Sequence, residues 1–170
     1  IWLHGTPSDT FSRPPKASDG CVVLSNTDLD ALAKNLQIGL TPVIISNSIE
    51  WLSLDDWQNE RSALNKKIEE WRSDWESRDI NRYLKHYSGK FKTKDQDFEQ
   101  FGRQKRQVNA SKEWIKVKLS NVSMFRDPKA ELVVVTFEQD YQSNNLNNQM
   151  RKRQYWIREA GNWRIVFDGA

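Results

Sequence analysis

The amino-acid sequence predicts an α+β protein, in which helices come first and a run of antiparallel strands follows. Apolar residues recur at helical spacing from residue 53 to about residue 108, and polar and apolar residues alternate over much of the chain after residue 114. Helices followed by hairpin-connected strands are typical of this class. A stretch rich in Gly, Pro, Ser and Thr over residues 1–24 precedes this pattern and predicts short strands separated by loops.

The first predicted elements are short. A strand ending near His4, a long loop and a second strand over residues 21–24 fit the alternation of apolar runs with turn-forming residues. A helix follows, capped at Ser25 or its neighbour and ended by Gly39. Residues 41–45 are β-branched and bounded by turn formers, so we expect a buried strand there.

A long amphipathic helix is predicted from Ser53 to about Ser77, with a capping-box pattern formed by Ser53 and Asp56. A second helix begins at Asp79, and a third spans about residues 96–108. Four strand-like runs then follow, over residues 114–125, 132–141, 150–158 and 163–167, separated by turns that contain Pro, Asn or Gly. The apolar positions that define the long helix are Trp57, Leu64, Ile68, Trp71 and Trp75.

The composition allows a packed core and gives no charge pattern for nucleic-acid binding. Hydrophobic residues make up 37% of the 170 residues, and the formal net charge is +3. Lys and Arg alternate with Asp and Glu along the predicted helices, which indicates a solvated mixed surface. Binding to an acidic polymer, such as a cell-wall glycan with its peptides, stays open.

Other features limit the kinds of site that the sequence predicts. No run approaches the ~18 apolar residues that span a membrane. The chain starts with an apolar run at Ile1, so we expect it to begin inside a longer protein whose targeting segment lies upstream. The single cysteine excludes an internal disulfide, and with two histidines it gives no metal-binding spacing. We therefore expect neither a metal nor a cofactor.

His4 and Cys21 are the candidates for nucleophilic chemistry. A thiol attacks a carbonyl as its thiolate, and a neighbouring imidazole can take the proton. The two residues are 17 positions apart, at the end of one predicted strand and the start of the next. Gly20 permits a tight backbone whose amide groups could face a developing oxyanion. From spacing alone, a buried cysteine and a solvent-facing histidine remain an open alternative.

The segment His4-Gly5-Thr6, followed by Ser-Asp-Gly-Cys-Val-Val-Leu-Ser-Asn at residues 18–26, resembles the signature of the L,D-transpeptidase catalytic domain, also called the YkuD domain. The resemblance implies that Cys21 is the nucleophile and His4 the general base. It also implies acyl transfer on the tetrapeptide stems of peptidoglycan, through a thioester at Cys21. An amine acceptor gives a cross-link, whereas water gives a trimmed stem.

The same resemblance implies a substrate site and a cellular location. Gly20 contributes backbone to the oxyanion site, and Gly5, Ser18 and Asp19 are expected to line the substrate. Many family members have His where this chain has Asp19, and Arg where it has Val23. That Arg helps to organise the site and the substrate carboxylate, so transfer and hydrolysis both stay open. The expected location is the periplasm or cell envelope.

The segment is similar to a subgroup of proteobacterial proteins that includes L,D-carboxypeptidases affecting cell shape. Members of that subgroup carry a C-terminal nuclear transport factor 2-like (NTF2-like) domain, and residues 69–79 and 163–169 resemble its opening helices and curved sheet. The predicted domains are therefore the C-terminal part of a catalytic domain over residues 1–50 and an NTF2-like cone over residues 57–170.

The second predicted domain contains no catalytic constellation, so we expect it to bind or position the substrate. Its aromatic residues could form a core or line a pocket. We expect Trp71 and Trp75 in the core, any pocket near Tyr141 and Trp156, and His86 at the surface. An alternative from another class is that the chain acts only as a binding module, because its catalytic domain is incomplete.

Overall fold

The computed structural model describes residues 2–7, 14, 16, 18–38, 41, 43–127 and 131–169. The chain divides into two compact units, Ile1–Ile45 and Ser46–Ala170. The first unit contains β1 (Leu3–His4), β2 (Val22–Val23) and α1 (Asn26–Ala33). The second contains α2 (Leu54–Glu76), α3 (Ile80–Leu84), α4 (Phe98–Ala110), β3 (Ile115–Asp127), β4 (Leu132–Ser143), β5 (Asn147–Glu159) and β6 (Asn162–Gly169).

The first unit is a two-stranded parallel pair followed by a short helix. The Ser25 hydroxyl caps α1 by accepting a backbone N–H bond at 3.1 Å. The predicted helix end at Gly39 lies outside the described residues. The strand expected over residues 41–45 is wrong where it can be checked, because residues 43–45 are exposed and form no strand. Among the described residues no strand pairs with them, and a β-strand needs such a partner for its backbone groups.

The second unit contains a four-stranded antiparallel sheet in the order β3-β4-β5-β6. Its strands follow one another as hairpins, as the alternating sequence predicts. In β4, alternate side chains from Val133 to Ser143 are buried. This face packs against the helices, which gives the α+β arrangement predicted from the sequence.

A β-bulge interrupts the pairing of β3 with β4. Between Ser120 and Ser123 one extra residue of β3 enters the register, and Asn121 there has a φ angle of 53°. Asn adopts this left-handed conformation more readily than most residues. Beyond the bulge β3 pairs regularly with β4 again, up to Asp127.

The core of the second unit forms where α2 crosses the sheet. Leu64, Ile68 and Trp71 lie on one stripe of α2 and are buried. Trp71 is fully buried, its ring lies 6.0 Å from that of Phe137, and its Nε1–H donates a 3.1 Å hydrogen bond to the Tyr87 hydroxyl. The prediction that Trp71 belongs to the core is confirmed.

Two expectations about single residues are wrong. His86 is only 8% exposed, because its carbonyl accepts a 2.8 Å bond from the amide of Ile165 in β6 and so brings it against the sheet. Its Nε2 lies 2.8 Å from an Asp74 carboxylate oxygen. Trp156 is fully buried in the core, so it cannot line a pocket that is open to solvent.

Candidate functional site

The strand pair of the first unit brings the two candidate catalytic residues to neighbouring positions. His4 pairs with Val23, and Cys21 lies two residues before Val23 in the sequence. Cys21 directly precedes β2, so the strand pairing brings its backbone close to His4, and both side chains are half-buried.

The His4 ring is oriented by its own neighbour. Its Nδ1 lies 2.8 Å from the Gly5 carbonyl oxygen. A carbonyl only accepts, so Nδ1 carries the hydrogen and Nε2 of the neutral ring keeps a free lone pair. No hydrogen bond joins His4 to Cys21 among the described residues, and catalytic contacts of this kind often tighten only when substrate binds.

The loop before Cys21 is shaped by glycine and serine. Gly20 has a φ angle of 92°, a conformation that residues with a Cβ rarely adopt. The Ser18 hydroxyl donates a 2.7 Å bond to the Cys21 carbonyl, and Asp19 is exposed. Gly5 packs so closely on the Asn26 side-chain oxygen that a Cβ would clash with it. Gly5 and Ser18 thus position the backbone near His4 and Cys21.

A second candidate site is a cleft of about 210 Å³ in the second unit, bordered by α2, α3, α4 and the sheet. The Trp75 and Tyr141 rings stack in its wall with centroids 5.2 Å apart. Tyr141 therefore lines a pocket, as the sequence predicts. Trp75, expected in the core, packs against the core with one part of its ring and lines the cleft with another.

The cationic groups that line the cleft differ in their partners. Lys152 lies 2.7 Å from an Asp168 carboxylate oxygen, and Lys112 donates to Ser143 at 3.3 Å. Within the described part of the chain, Lys105 has no ion pair or hydrogen bond; its Nζ lies 5.5 Å from the Trp75 ring centroid. Burial lowers the pKa of Lys105 below its usual value of 10.5, although Asp168 acts to raise it. The Lys105 ammonium is thus available to an incoming anion.

A buried acceptor lies in the same cleft. Gln139 is 5% exposed, and its side-chain oxygen has no hydrogen-bond partner among the described residues. A buried, unsatisfied amide oxygen is destabilising unless a donor reaches it. The cleft therefore offers a cation and stacked aromatic rings to a ligand, and a buried amide oxygen without a partner among the described residues lies in its wall.

A buried hydrogen-bond chain lies beneath the cleft and fixes Asp168. The Tyr87 hydroxyl donates to Asp168 at 3.2 Å and lies 2.6 Å from the Tyr83 hydroxyl. Burial raises the pKa of both tyrosines above the usual 10.0, so both hydroxyls keep their hydrogens. Asp168 stays beside Lys152 and neutralises it, which distinguishes Lys152 from Lys105.

The sequence did not predict Lys105, Gln139 and Lys152 as cleft residues. Gln139 occupies a buried position in the alternating pattern of β4, where an apolar residue is usual. This polar residue at a core position is the sequence signal that could have indicated the cleft. Lys105 lies on α4, and the sequence around it contains no signal of the cleft, because only tertiary packing brings it to the sheet.

Two further properties bear on what the chain can do. Among the described residues, no group of acidic, His or Cys side chains could hold a metal ion. Of the described helices, none has the length and apolar character that crossing a membrane requires.

In comparisons with known proteins, one family model matches each of the two units of the chain. The family model of the Cds6 C-terminal NTF2-like domain matches residues 63–169, and that of the L,D-transpeptidase catalytic domain (YkuD) matches residues 1–45. No match was found among the curated proteins.

Solved structures extend the similarity over both units. Bd1075 from Bdellovibrio bacteriovorus is 26% identical with a TM-score of 0.84, and the match covers 98% of this chain and 59% of that one. Pgp2 of Campylobacter jejuni, a helical cell shape determining protein, is 25% identical with a TM-score of 0.78 and the same coverage. An NTF2-like protein from Pseudomonas putida KT2440 is 13% identical with a TM-score of 0.57, covers 65% of this chain and 84% of that one, and supports the fold alone.

The chain spans about three-fifths of the length of Bd1075 and Pgp2, because the match covers 59% of each. The matched NTF2-like region comprises more than half of the chain. The chain belongs to the family of the Cds6 C-terminal NTF2-like domain, and this domain follows a segment that matches the L,D-transpeptidase catalytic domain.

Proposed function

We propose that the protein is a cysteine-dependent L,D-transpeptidase that acts on the tetrapeptide stems of peptidoglycan in the periplasm or cell envelope. The pairing of β1 with β2, which brings His4 close to Cys21 in the chain fold, supports this proposal most directly. The match of residues 1–45 to the catalytic-domain family supports it independently, as does the similarity to a cell-shape protein.

The reaction proceeds in two acyl transfers. Nε2 of His4 takes the thiol proton of Cys21, and the sulfur attacks the carbonyl carbon of the scissile peptide bond. The backbone amides beside Gly20 stabilise the oxyanion. The C–N bond breaks, the leaving amine takes the proton from His4, and a thioester remains on Cys21. An amine of a second stem then attacks the thioester and releases the thiol.

Hydrolysis is the second candidate reaction, and a sequence feature favours it. Asp19 and Val23 stand where many transpeptidases have His and Arg, so the group that organises the site and the substrate carboxylate in those members is absent. Water would then resolve the thioester, which makes the protein an L,D-carboxypeptidase that produces tripeptides.

Incubation of the full-length protein with purified peptidoglycan should distinguish these reactions. We expect cross-linked dimers from transfer, and tripeptides with free D-Ala from hydrolysis, as measured by chromatography and mass spectrometry of the digested wall. If neither product forms while wall fragments still bind, the protein is a binding module and the catalytic proposal is wrong.

The cleft of the second unit binds stem peptides for this reaction. A stem peptide carries a terminal carboxylate and several N–H donors, which suit the Lys105 ammonium and the Gln139 oxygen. Its methyl and methylene groups can pack on Trp75 and Tyr141. In this proposal the cleft positions the wall, while Cys21 performs the chemistry.

Replacing Lys105 with glutamine should weaken stem-peptide binding about tenfold or more, because a charged hydrogen bond is worth about 1.5–3 kcal/mol. Titration calorimetry with a stem tetrapeptide on the 170-residue chain measures this change. Lys94→Gln is the matched control, since Lys94 is exposed, lies outside the cleft and loses the same charge. Equal affinities of the two variants would show that the cleft does not bind the carboxylate.

A further inference from the structure

A second depression, the aromatic groove, lies at the opposite end of α2 from the cleft. It has a volume of about 320 Å³ and is bordered by the first turns of α2, by β3 and by Trp163 of β6. Its floor is apolar, with the buried side chains of Leu64 and Val133. Trp57, which is 47% exposed, forms part of its wall. Roughly 27 Å of helix axis separates Trp57 from Trp75, so groove and cleft are distinct sites.

The rim of the aromatic groove consists of charged and polar side chains. Arg126 Nη1 donates to both carboxylate oxygens of Glu60, at 2.8 and 2.9 Å. The guanidinium carbon of Arg61 lies 5.2 Å from the Trp57 ring centroid. Ser123 adds a hydroxyl to the lining. The Arg61 guanidinium thus lies over the Trp57 ring, and the paired Arg126 and Glu60 side chains border the groove.

This combination suits a sugar ring better than an apolar protein segment. A pyranose has a face of C–H groups, which packs on an aromatic ring, and a rim of hydroxyl and acetamido groups, which need donors and acceptors. The volume of the groove falls in the range of small-ligand sites. A stable protein interface requires a far larger area, with few charges at its centre.

We infer that the aromatic groove binds the sugar rings of a β-linked N-acetylhexosamine glycan, with one ring packed on Trp57. This inference rests on the proposed function, because the glycan strand of peptidoglycan carries the stem peptides. The cleft holds the peptide and the groove holds the strand to which it is attached. The guanidinium groups of Arg61 and Arg126 and the carboxylate of Glu60 bind the hydroxyl and acetamido groups.

The test uses an N-acetylglucosamine tetramer, which contains no peptide, and the 170-residue chain. We expect the tetramer to bind in calorimetry and to shift the indole N–H resonance of Trp57 in NMR. Trp57→Ala should weaken binding about tenfold. Trp114→Ala is the matched control, since Trp114 is 42% exposed and lines neither groove nor cleft. Glu60→Gln, which leaves the ring in place, should also weaken binding.

Four results would overturn the inference, and the first three concern where the tetramer binds and what occupies the groove. They are equal binding by Trp57→Ala and Trp114→Ala, resonance shifts confined to the cleft, and a dimer in sedimentation that Trp57→Ala dissociates. Absence of tetramer binding also overturns it, and leaves the proposed function intact if the full-length protein still processes stem peptides. Loss of stem-peptide processing with retained tetramer binding removes the proposed reaction but not the glycan site.

Discussion

Replacing Cys21 with serine in the full-length protein should reduce the formation of cross-linked or trimmed stems by about 10⁴-fold or more. An alcohol is a much weaker nucleophile than a thiolate, because it is far less acidic and needs stronger help from a base. The rate of product formation from purified peptidoglycan measures the effect. Activity retained within tenfold would show that Cys21 is not the nucleophile.

The role of His4 can be separated from that of Cys21 by alkylation. Cys21 is the one cysteine of the chain, so incorporation of iodoacetamide reports on a single thiol. His4→Ala should slow this reaction near neutral pH. His86→Ala, which changes the other histidine of the chain, should not, because His86 lies in the other unit and bonds to Asp74. Equal rates in both variants would contradict the role of His4 as the base.

Replacing Trp71 with alanine should lower the free energy of unfolding by about 3–5 kcal/mol. The ring is fully buried, and its removal leaves a cavity and takes a hydrogen bond from the Tyr87 hydroxyl. Chemical denaturation of the 170-residue chain, followed by circular dichroism, measures the loss. Trp71→Phe keeps most of the volume and should restore much of the stability.

Trp75→Ala is the matched comparison, because this ring lies one helical turn away and partly faces the cleft. It should destabilise the chain less than Trp71→Ala while weakening ligand binding more. If the two substitutions cost the same stability, the division between a core ring and a cleft ring is wrong.

The helices were predictable because their signals are local. Ser53 accepts a bond from the Asp56 amide at 3.1 Å and caps α2, as the capping pattern predicts, and α2 ends at Glu76, within a residue of the predicted end. Asp97 and Gln100 form a complete capping box at the start of α4. Side chains that cap a helix lie within three residues of their partners, so the sequence alone shows them.

The strand limits and the cleft depend on distant residues, which the sequence does not show. The sequence predicts an Asn-rich turn over residues 143–148, yet residues 147–148 belong to β5, because Asn147 pairs with Gln142 and Asn148 with Tyr141. A paired neighbour overrides weak local preference. The cleft likewise depends on packing that brings Lys105 of α4 near Gln139 of β4.

The bulge at Asn121 lies between the part of β3 that borders the cleft and the part that borders the aromatic groove. Before it, Ile115 points toward the cleft; after it, Val122 and Met124 point toward the aromatic groove. Odd-numbered positions face inward on one side of the bulge and even-numbered positions on the other. The extra residue therefore changes which positions of β3, odd or even, face inward, because two residues of β3 lie opposite one residue of β4 there. Deleting Asn121 would let Val122 pair directly with Phe137, so Val122 and Met124 would still face inward, but the bend and added twist that the bulge gives β3 would be lost.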